Sequence, residues 1–457
     1  MRQWRHFYRL GLLLGCLGLA GGCTGPQNDV PPPPAATPDP IQTQIQRMNT
    51  DEKIGQLLLI GLEGRTLDAP VRELIANRHI GGIILFKRNV GSLEQTIGLL
   101  NALKAANGSN AAPLFLSVDQ EGGAVSRLPA AFAALPDNRH IGQANNPQLA
   151  KRIGELLGEE LRLLGMNMNY APVLDVDSNP DNPVIGPRSY GASAALVADL
   201  GTQAMKGMQG AGVVPVVKHF PGHGDTEVDS HLELPVVSKP LEELRKLELL
   251  PFRRAVQEGA DAVMVAHLLI PALDNAAPAS FSEPVIDGLL RQELGFQGVV
   301  MTDDLTMGAI TKHFDIGEAA VRTILAGGDL VMVAHGADRA LHVLDALKQA
   351  AADGTLTEER LNTSVSRILA LKKRNTASRT KPSRRPTPAR SMRLSASCSK
   401  RTTSDPGLPE PEEPRTRMGA RRSAGVWSPG RESKHGNRLF FRYDLRRILI
   451  HAGVAFA

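Results

Sequence analysis

The chain has 457 residues, of which 42% are hydrophobic and only 4% aromatic, and its formal net charge at pH 7 is +5. This length allows one large domain or two to three ordinary ones, and the core must be mainly aliphatic. The modest net charge comes largely from a basic C-terminal segment. The composition therefore excludes a core built on aromatic side chains and gives no argument for a nucleic-acid partner.

Residues 1–22 have the layout of a signal peptide. Several arginines precede the apolar run LGLLLGCLGLAGG, which is too short to span a membrane comfortably. Small residues directly before Cys23 resemble the lipobox of bacterial lipoproteins, with Ala20 where leucine is commoner. This resemblance implies cleavage before Cys23 and lipidation of its thiol. Thr24 follows, where an aspartate would retain the protein at the inner membrane, so we expect an outer-membrane lipoprotein facing the periplasm. An ordinary signal peptide or an uncleaved anchor is the alternative.

Residues 23–44 are predicted to hold the lipidated cysteine and a proline-rich linker, which is expected to be extended and semi-rigid. The chain has three cysteines. Cys16 would leave with the signal peptide and Cys23 would carry lipid, so Cys398 has no disulfide partner in the mature chain. This cysteine count leaves no zinc pattern, and we predict neither a metal nor another cofactor.

Eight short apolar runs alternate with longer helical patterns over residues 45–374. The runs are GQLLLIGL, GGIILF, PLFLSVD, MNMNYAPVLDV, VVPVVKHF, DAVMVAHLLI, GVVMTDD and DLVMVAHG. Continuous apolar strands separated by helices indicate a parallel sheet that is buried on both faces. Eight such units predict an α/β fold, a closed (β/α)8 TIM-type barrel forming a single catalytic domain. An open doubly wound sheet competes, but it usually has fewer strands and a glycine-rich first turn, which is missing after the first run.

Two helices and the C-terminal segment give specific predictions. Pro251 lies inside the fifth helix, which is therefore predicted to break or kink. Thr357 is predicted to cap the last helix of the barrel. Residues 375–457 are rich in Arg, Ser and Pro without periodicity, which predicts a disordered basic tail or a segment translated in a wrong frame. A basic arm that binds an anionic glycan or lipid is the functional alternative.

The active site of such a barrel lies at the carboxyl ends of its strands. Carboxylates, arginines and a lysine at those ends describe a pocket for a polyhydroxylated ligand, because charged groups bind hydroxyls through strong paired hydrogen bonds. Asp304 and His267 are expected to be structural, and Tyr170 to be packing. The candidates are Asp119 and Arg127 after strand three, Arg188 after strand four, Lys218 and His219 at the end of strand five, and Asp303 after strand seven.

The segment 218–231, KHFPGHGDTEVDSH, contains the predicted acid and base of the reaction. Breaking a glycosidic bond requires a proton for the leaving oxygen and negative charge near the forming oxocarbenium ion. Asp303 can attack carbon one, and His231 can supply the proton and later take one from water. Asp229 stands two residues before His231, where it can hold the tautomer and stabilise the imidazolium. We expect Asp303 to face His231 across a gap one pyranose wide.

Four motifs, DQEGG, IGPRSYG, KHFPGHGDTEVDSH and TDDLTM, resemble those of β-N-acetylglucosaminidases of glycoside hydrolase family 3, in order and in spacing. The resemblance covers residues 45 to about 373. It implies retaining hydrolysis of terminal non-reducing β-linked N-acetylglucosamine, from peptidoglycan fragments or chitooligosaccharides, through a covalent glycosyl-enzyme and without a metal. It implies Asp303 as nucleophile and His231 with Asp229 as acid and base. The sugar ligands that it implies are Asp119, Arg127, Arg188, Lys218 and His219.

One departure and three alternatives accompany this resemblance. Ala124 stands where the family often has arginine. The alternatives are a hydrolase that holds zinc with His219, His223, His231 and Asp303, a non-catalytic glycan-binding lipoprotein, and an enzyme that transfers the sugar to phosphate. The expected partners are a glycan and, through the lipid anchor, a membrane. The protein is expected to be a monomer.

Overall fold

The computed structural model describes residues 39–377. The predicted signal peptide, Cys23 and nearly all of the predicted tail lie outside these residues. Helix α1, Pro40–Arg47, begins inside the range predicted as linker. Residues 40–44 therefore belong to the folded body, because Ile41 and Ile45, one helical turn apart, both pack against the core. No helix within the described part of the chain is long and apolar enough to cross a bilayer.

All eight predicted runs form strands of one closed parallel barrel. Each strand pairs with its neighbours in the chain, and β8 pairs with β1, where Met332 lies opposite Leu59. The predicted (β/α)8 barrel is confirmed, and the open sheet is excluded. The strands are β1 (Leu58–Ile60), β2 (Gly82–Leu85), β3 (Phe115–Val118), β4 (Met168–Asn169), β5 (Val214–Phe220), β6 (Ala262–Val265), β7 (Val299–Asp304) and β8 (Leu330–Val333).

Helices surround the barrel and connect its strands. The chain breaks at Leu247 and Glu248, between α8 (Leu241–Lys246) and α9 (Leu249–Gln257), so the predicted break of the fifth helix is confirmed. Pro251 lies in the first turn of α9, where its missing N–H is tolerated. The Thr357 hydroxyl accepts a hydrogen bond from the Arg360 N–H at 3.2 Å, which confirms the predicted cap. Beyond α1, the helices are α2 (Thr50–Gln56), α3 (Ala69–Arg78), α4 (Leu93–Ala106), α5 (Asn138–Ala144), α6 (Pro147–Leu164), α7 (Ala194–Gly210), α8 (Leu241–Lys246), α9 (Leu249–Gln257), a π-helical segment (Pro284–Glu293), α10 (Gly308–Thr311), α11 (Ile316–Leu325), α12 (Ala337–Ala352) and α13 (Glu358–Ala377).

Helix α13 closes the end of the barrel at which the strands begin. Asp329, just before β8, is fully buried and accepts hydrogen bonds from the Arg291 guanidinium at 2.6 Å, the Ser364 hydroxyl at 2.8 Å and the Arg367 guanidinium at 3.1 Å. Two of these donors belong to α13 and one to the π-helical segment. Asp329 therefore ties the last helix to the barrel.

A buried lysine lies at the same end. Lys372 of α13 is 3% exposed, and its ammonium donates to the Gln56 side chain at 2.7 Å and to the Gly81 carbonyl at 2.8 Å. The ammonium also lies 4.9 Å from the centre of the Phe115 ring. These contacts fix α13 against the starts of β1, β2 and β3, and leave the opposite end of the barrel open for the site.

Candidate active site

Asp303 lies at the end of β7, at the mouth of the barrel. The pairing of β7 with β8 changes register just before Asp304, and such irregularities re-aim side chains at the end of a strand. The Asp303 Oδ1 atom accepts a hydrogen bond from the Asp304 N–H at 2.8 Å. Burial raises the pKa of Asp303, but the imidazoles of His219 and His267 and this N–H group outweigh burial and hold the pKa below its ordinary value. The carboxylate is therefore ionised near neutral pH.

An ion-pair network joins the end of β5 to the segments after β3 and β4. Lys218 is 2% exposed, and its ammonium contacts the carboxylates of Asp119 and Glu121, the second at 2.8 Å. The Arg188 guanidinium donates two hydrogen bonds to Glu121, at 2.9 and 2.8 Å. Burial raises the pKa of Glu121, but the charges of Lys218 and Arg188 outweigh burial, so the pKa lies well below its usual range. Two predicted sugar ligands, Lys218 and Arg188, thus share the Glu121 carboxylate, and a third, Asp119, joins the network through Lys218.

Asp175 orients His219, another predicted sugar ligand. The Asp175 Oδ2 atom lies 2.6 Å from His219 Nδ1, and Oδ1 accepts the His223 N–H at 2.7 Å. Burial raises the pKa of Asp175, but His219 and His223 outweigh burial and lower the pKa overall. With Nδ1 engaged by the carboxylate, the Nε2 atom of His219 is directed to the Arg188 guanidinium, at 3.4 Å. His219 and Arg188 therefore occupy the same part of the mouth.

The sequence interpretation missed Glu121 and Asp175. Glu121 lies inside the motif DQEGG, and Asp175 lies near the end of the fourth predicted run, MNMNYAPVLDV. An acid at the end of a strand was the signal that singled out Asp119 and Asp303, and the same signal could have found these two. Their partners could not be found in this way, because Glu121 is 67 residues from Arg188, and Asp175 is 44 residues from His219.

Asp229 and His231 form the hydrogen-bonded pair that the sequence predicts. The Asp229 Oδ1 atom lies 2.7 Å from His231 Nδ1 and also accepts the His231 backbone N–H at 2.9 Å. Burial raises the pKa of Asp229, but these two bonds outweigh burial and lower the pKa. The side chains are 65% exposed for His231 and 34% for Asp229. With Asp229 on Nδ1, the Nε2 atom is the one available for proton transfer to a ligand.

The segment that carries His231 is bonded to the turn that follows Asp303. The Gly308 N–H donates to the His231 carbonyl at 3.1 Å, and the Ala309 N–H donates to the Ser230 carbonyl at 3.2 Å. Gly308 begins α10, only a few residues after β7 ends. The backbone that carries the predicted proton donor is therefore fixed to the helix that directly follows the strand of the predicted nucleophile.

Asp304 and His267 have structural roles at the end of β7, as the sequence predicts. The Asp304 Oδ1 atom accepts N–H groups of Thr306 and Ala334, both at 2.9 Å. His267 is fully buried, and its Nε2 atom lies 2.9 Å from the Asp304 carbonyl oxygen. These bonds hold β7 against its neighbours at the point where Asp303 projects.

Arg127 follows β3 on the same rim. Its backbone N–H donates to the Gln120 side chain at 2.7 Å, which fixes the segment that carries it. Its guanidinium forms no ion pair with an acid of residues 39–377. No described carboxylate therefore neutralises its charge.

The zinc alternative needs several ligands on one centre. Among the described residues, no group of three or more His, Cys, Asp and Glu side chains is arranged to hold a metal ion. His223 is instead enclosed by hydroxyl groups, with Thr226 at 2.8 Å from Nδ1 and Ser230 at 3.0 Å from Nε2. Burial lowers the pKa of His223 to about 4, so this imidazole is neutral and shapes the loop.

Residues 49–371 match the glycosyl hydrolase family 3 N terminal domain. The chain belongs to glycosyl hydrolase family 3. The matched range contains the whole barrel and every candidate residue described above. The predicted family is therefore confirmed, and so is the predicted enzyme class, glycoside hydrolase.

Similar proteins are known by sequence and by structure. Beta-hexosaminidase A of Pseudoalteromonas piscicida is 38% identical over 331 residues, which cover 67% of this chain and 55% of that protein. Beta-hexosaminidase LpqI of Mycobacterium tuberculosis is 37% identical over 331 residues, covering 70% of this chain and 82% of that protein. A family 3 beta-N-acetylglucosaminidase structure from Paenibacillus has a TM-score of 0.71 and 48% identity, over 72% of this chain and 63% of that one. The chain thus spans little more than half of the first relative.

Proposed function

We propose that the protein hydrolyses terminal, non-reducing β-linked N-acetylglucosamine with retention of configuration. The observation that carries the proposal is the Asp229–His231 pair, on a segment whose backbone is bonded to the turn after Asp303. A proton donor and an ionised carboxylate at one mouth are what a retaining glycosidase requires. The names of the relatives, beta-hexosaminidases and a beta-N-acetylglucosaminidase, agree with this choice of sugar.

The first chemical step forms a glycosyl-enzyme. An Asp303 carboxylate oxygen attacks carbon one of the sugar, and the bond from carbon one to the leaving oxygen breaks. The Nε2 proton of His231 passes to that leaving oxygen, which departs as an alcohol. Asp229 accepts the Nδ1–H hydrogen bond and stabilises the imidazolium, whose second proton lies on Nε2, the nitrogen that faces the ligand.

The second step releases the sugar. His231 Nε2 takes a proton from water as the water oxygen attacks carbon one, and the bond to Asp303 breaks. The two inversions at carbon one give net retention. Because an ionised carboxylate is required for the first attack, the lowered pKa of Asp303 keeps the nucleophile active down to mildly acidic pH.

The sugar is held by charged groups whose positions are fixed before it binds. Asp119, Arg127, Arg188, Lys218 and His219 are the proposed ligands of its hydroxyl and acetamido groups. Glu121 anchors Arg188 and Lys218, and Asp175 anchors His219, so these donors do not have to be ordered when the sugar binds.

Substitution of the two central residues tests the proposal. Asp303→Ala should lower kcat for p-nitrophenyl N-acetyl-β-glucosaminide by at least about a thousandfold. His231→Ala should cost much less with this good leaving group than with an alkyl leaving group, because p-nitrophenolate needs little protonation. Equal losses with both leaving groups would contradict His231 as the proton donor. A rate that rises only when phosphate is added would show phosphorolysis instead of hydrolysis.

We also propose that the substrates are peptidoglycan fragments or chitooligosaccharides, met at the periplasmic face of the outer membrane by a monomer anchored through Cys23. The lipobox-like segment supports this location. Cys23→Ser should move the protein from the membrane fraction to the soluble fraction of a Gram-negative host. Retention of this variant in the membrane fraction would contradict the lipid anchor.

A further inference from the structure

His223 lies at the centre of a buried chain of hydrogen bonds in the loop after β5. The described residues 221–240 contain no helix and no strand, so this loop is held by side-chain bonds and not by a continuous backbone ladder. The Nδ1 atom of His223 lies 2.8 Å from the Thr226 hydroxyl, and the Nε2 atom lies 3.0 Å from the Ser230 hydroxyl. All three side chains are buried, and the mechanism above uses none of them.

One end of this chain of bonds reaches the proposed proton donor. Ser230 stands between Asp229 and His231, and unlike its two neighbours it is buried. Its hydroxyl is bonded to His223, and its carbonyl accepts the Ala309 N–H at 3.2 Å. Because both the side chain and the carbonyl of Ser230 are fixed, the directions in which its two neighbours leave the backbone are fixed as well.

The other end reaches the groups that are proposed to bind the sugar. The His223 N–H donates to Asp175, whose other oxygen contacts His219. The His223 carbonyl accepts a hydrogen bond from the Asn182 side chain at 2.9 Å. The same Asn182 side chain accepts two N–H groups of the segment that leads to Arg188, at 2.9 and 2.8 Å. Both contacts of His223 use main-chain atoms, so a substitution of its side chain leaves those atoms available.

A neutral imidazole suits this position. Burial lowers the pKa of His223 to about 4, so near neutral pH one ring nitrogen donates a hydrogen bond and the other accepts one. A hydroxyl can do either, so Thr226 and Ser230 satisfy both nitrogens in either tautomer. With both nitrogens bonded, the plane of the ring is fixed between the two hydroxyl groups.

We propose that His223 is a positioning residue for the proton donor. Through Ser230 it holds the Asp229–His231 pair at one place relative to the groups that bind the sugar, so that His231 Nε2 meets the leaving oxygen. His223 itself transfers no proton. A misplacement of about 1 Å in a reacting group can cost about a hundredfold in rate. The inference rests on the proposed function and adds a residue to its mechanism.

Two substitutions of His223 separate its two bonds. A glutamine places its amide near the position of Nε2 and can keep the bond to Ser230, whereas an asparagine places its amide near Nδ1 and reaches only Thr226. His223→Asn should lower kcat/KM for methyl N-acetyl-β-glucosaminide by about tenfold and for the p-nitrophenyl glycoside by less than about threefold, because only the alkyl leaving group needs a proton. His223→Gln should stay within about threefold of wild type on both substrates.

Ser230→Ala removes the same bond from its other side and is the milder change. It should give the same dependence on the leaving group, and combining it with His223→Asn should add little further loss, because the bond is already broken. The inhibition constant of free N-acetylglucosamine should change by less than about twofold in every variant, since the main-chain bonds of His223 to Asp175 and Asn182 do not depend on its side chain.

Ser280→Ala is the matched control. The Ser280 hydroxyl lies 2.8 Å from His267 Nδ1, and both residues are fully buried, so this variant also removes a buried bond between a serine and an imidazole. The bond lies outside the loop after β5. Ser280→Ala should lower the midpoint of thermal unfolding about as much as Ser230→Ala does, but any loss of kcat/KM should be the same for both leaving groups.

The outcomes separate this inference from the proposed function. Equal losses on both glycosides in Ser230→Ala and in His223→Asn would reduce His223 to a purely structural residue and overturn the inference, as would equal losses in His223→Asn and His223→Gln. If His223→Asn does not fold, Ser230→Ala alone decides in the same way. A wild type that releases N-acetylglucosamine from neither glycoside would instead overturn the proposed function.

Discussion

The Glu121 side chain holds two cations in place at the mouth of the barrel. Lys218 is buried and Arg188 is half-buried beside it, and both need the same counterion, because an uncompensated buried charge costs several kcal/mol. Glu121 is 3% exposed and bonds to both cations. Glu121 therefore fixes the positions of two proposed sugar ligands.

Glu121→Gln should lower the free energy of unfolding by about 3–5 kcal/mol, because it removes one partner of a buried ion pair. Denaturant titration followed by circular dichroism measures the change. Glu94→Gln, on the exposed first turn of α4, is the matched control and should change stability by less than about 0.5 kcal/mol. A change in Glu121→Gln as small as in this control would contradict the network.

The same residue makes stability depend on pH. The folded-state pKa of Glu121 lies below the unfolded value of about 4.5, so the unfolded chain binds the proton first as pH falls. The contribution of Glu121 is complete above about pH 4.5 and is lost at lower pH. Unfolding at a series of pH values should therefore show a steeper acid loss in wild type than in Glu121→Gln.

At the scale of elements, the loop after β5 and the turn after β7 act as one unit. A Cβ atom added to Gly308 would lie 2.7 Å from the carbonyl oxygens of both His231 and Leu232. Backbone atoms at such a distance must move. The absence of a side chain at Gly308 is therefore what allows the His231 segment to approach the end of β7.

Gly308→Ala should shift the His231 segment away from α10 and lower kcat for substrates with poor leaving groups by about tenfold. A p-nitrophenyl substrate should lose less, because it needs less proton donation. Gly98→Ala is the matched control, since nothing lies within 4 Å of a Cβ at Gly98 in helix α4. That control should keep full activity and gain up to about 1 kcal/mol of stability. A uniform loss across leaving groups in Gly308→Ala would contradict the coupling.

At the scale of the whole molecule, helix α13 is attached to the barrel through Asp329. Three guanidinium groups surround this buried carboxylate, those of Arg291, Arg360 and Arg367. Asp329→Asn should lower the free energy of unfolding by about 3–5 kcal/mol, measured by denaturant titration. The kcat of the folded protein should persist, because Asp329 lies at the end of the barrel away from the mouth. Asp338→Asn, exposed on α12, is the control and should leave stability unchanged.

The architecture could be predicted because each strand is a continuous apolar run, a pattern that buried parallel strands produce in any such barrel. The Asp229–His231 pair could be predicted because the two residues are close in the chain. The hydrogen bonds of Glu121 with Arg188 and of Asp175 with His219 could not be predicted, because local patterns do not specify which distant polar groups meet. The register change in β7 could not either, because apolar runs define a strand and not its pairing.

Lys372 gives the barrel an unusual response to alkaline solution. Burial lowers the pKa of this lysine to about 7, against an unfolded value of about 10.5, so between these limits only the unfolded chain holds the proton. In this pH range the free energy of unfolding rises by up to about 1.4 kcal/mol per pH unit, because only the unfolded chain must release the proton. Calorimetry from pH 7 to 10 should show this rise in wild type and not in Lys372→Met, while Lys151→Met, on the surface, keeps it. Between pH 7 and 10 a rise in pH should therefore strengthen the attachment of α13 to the barrel.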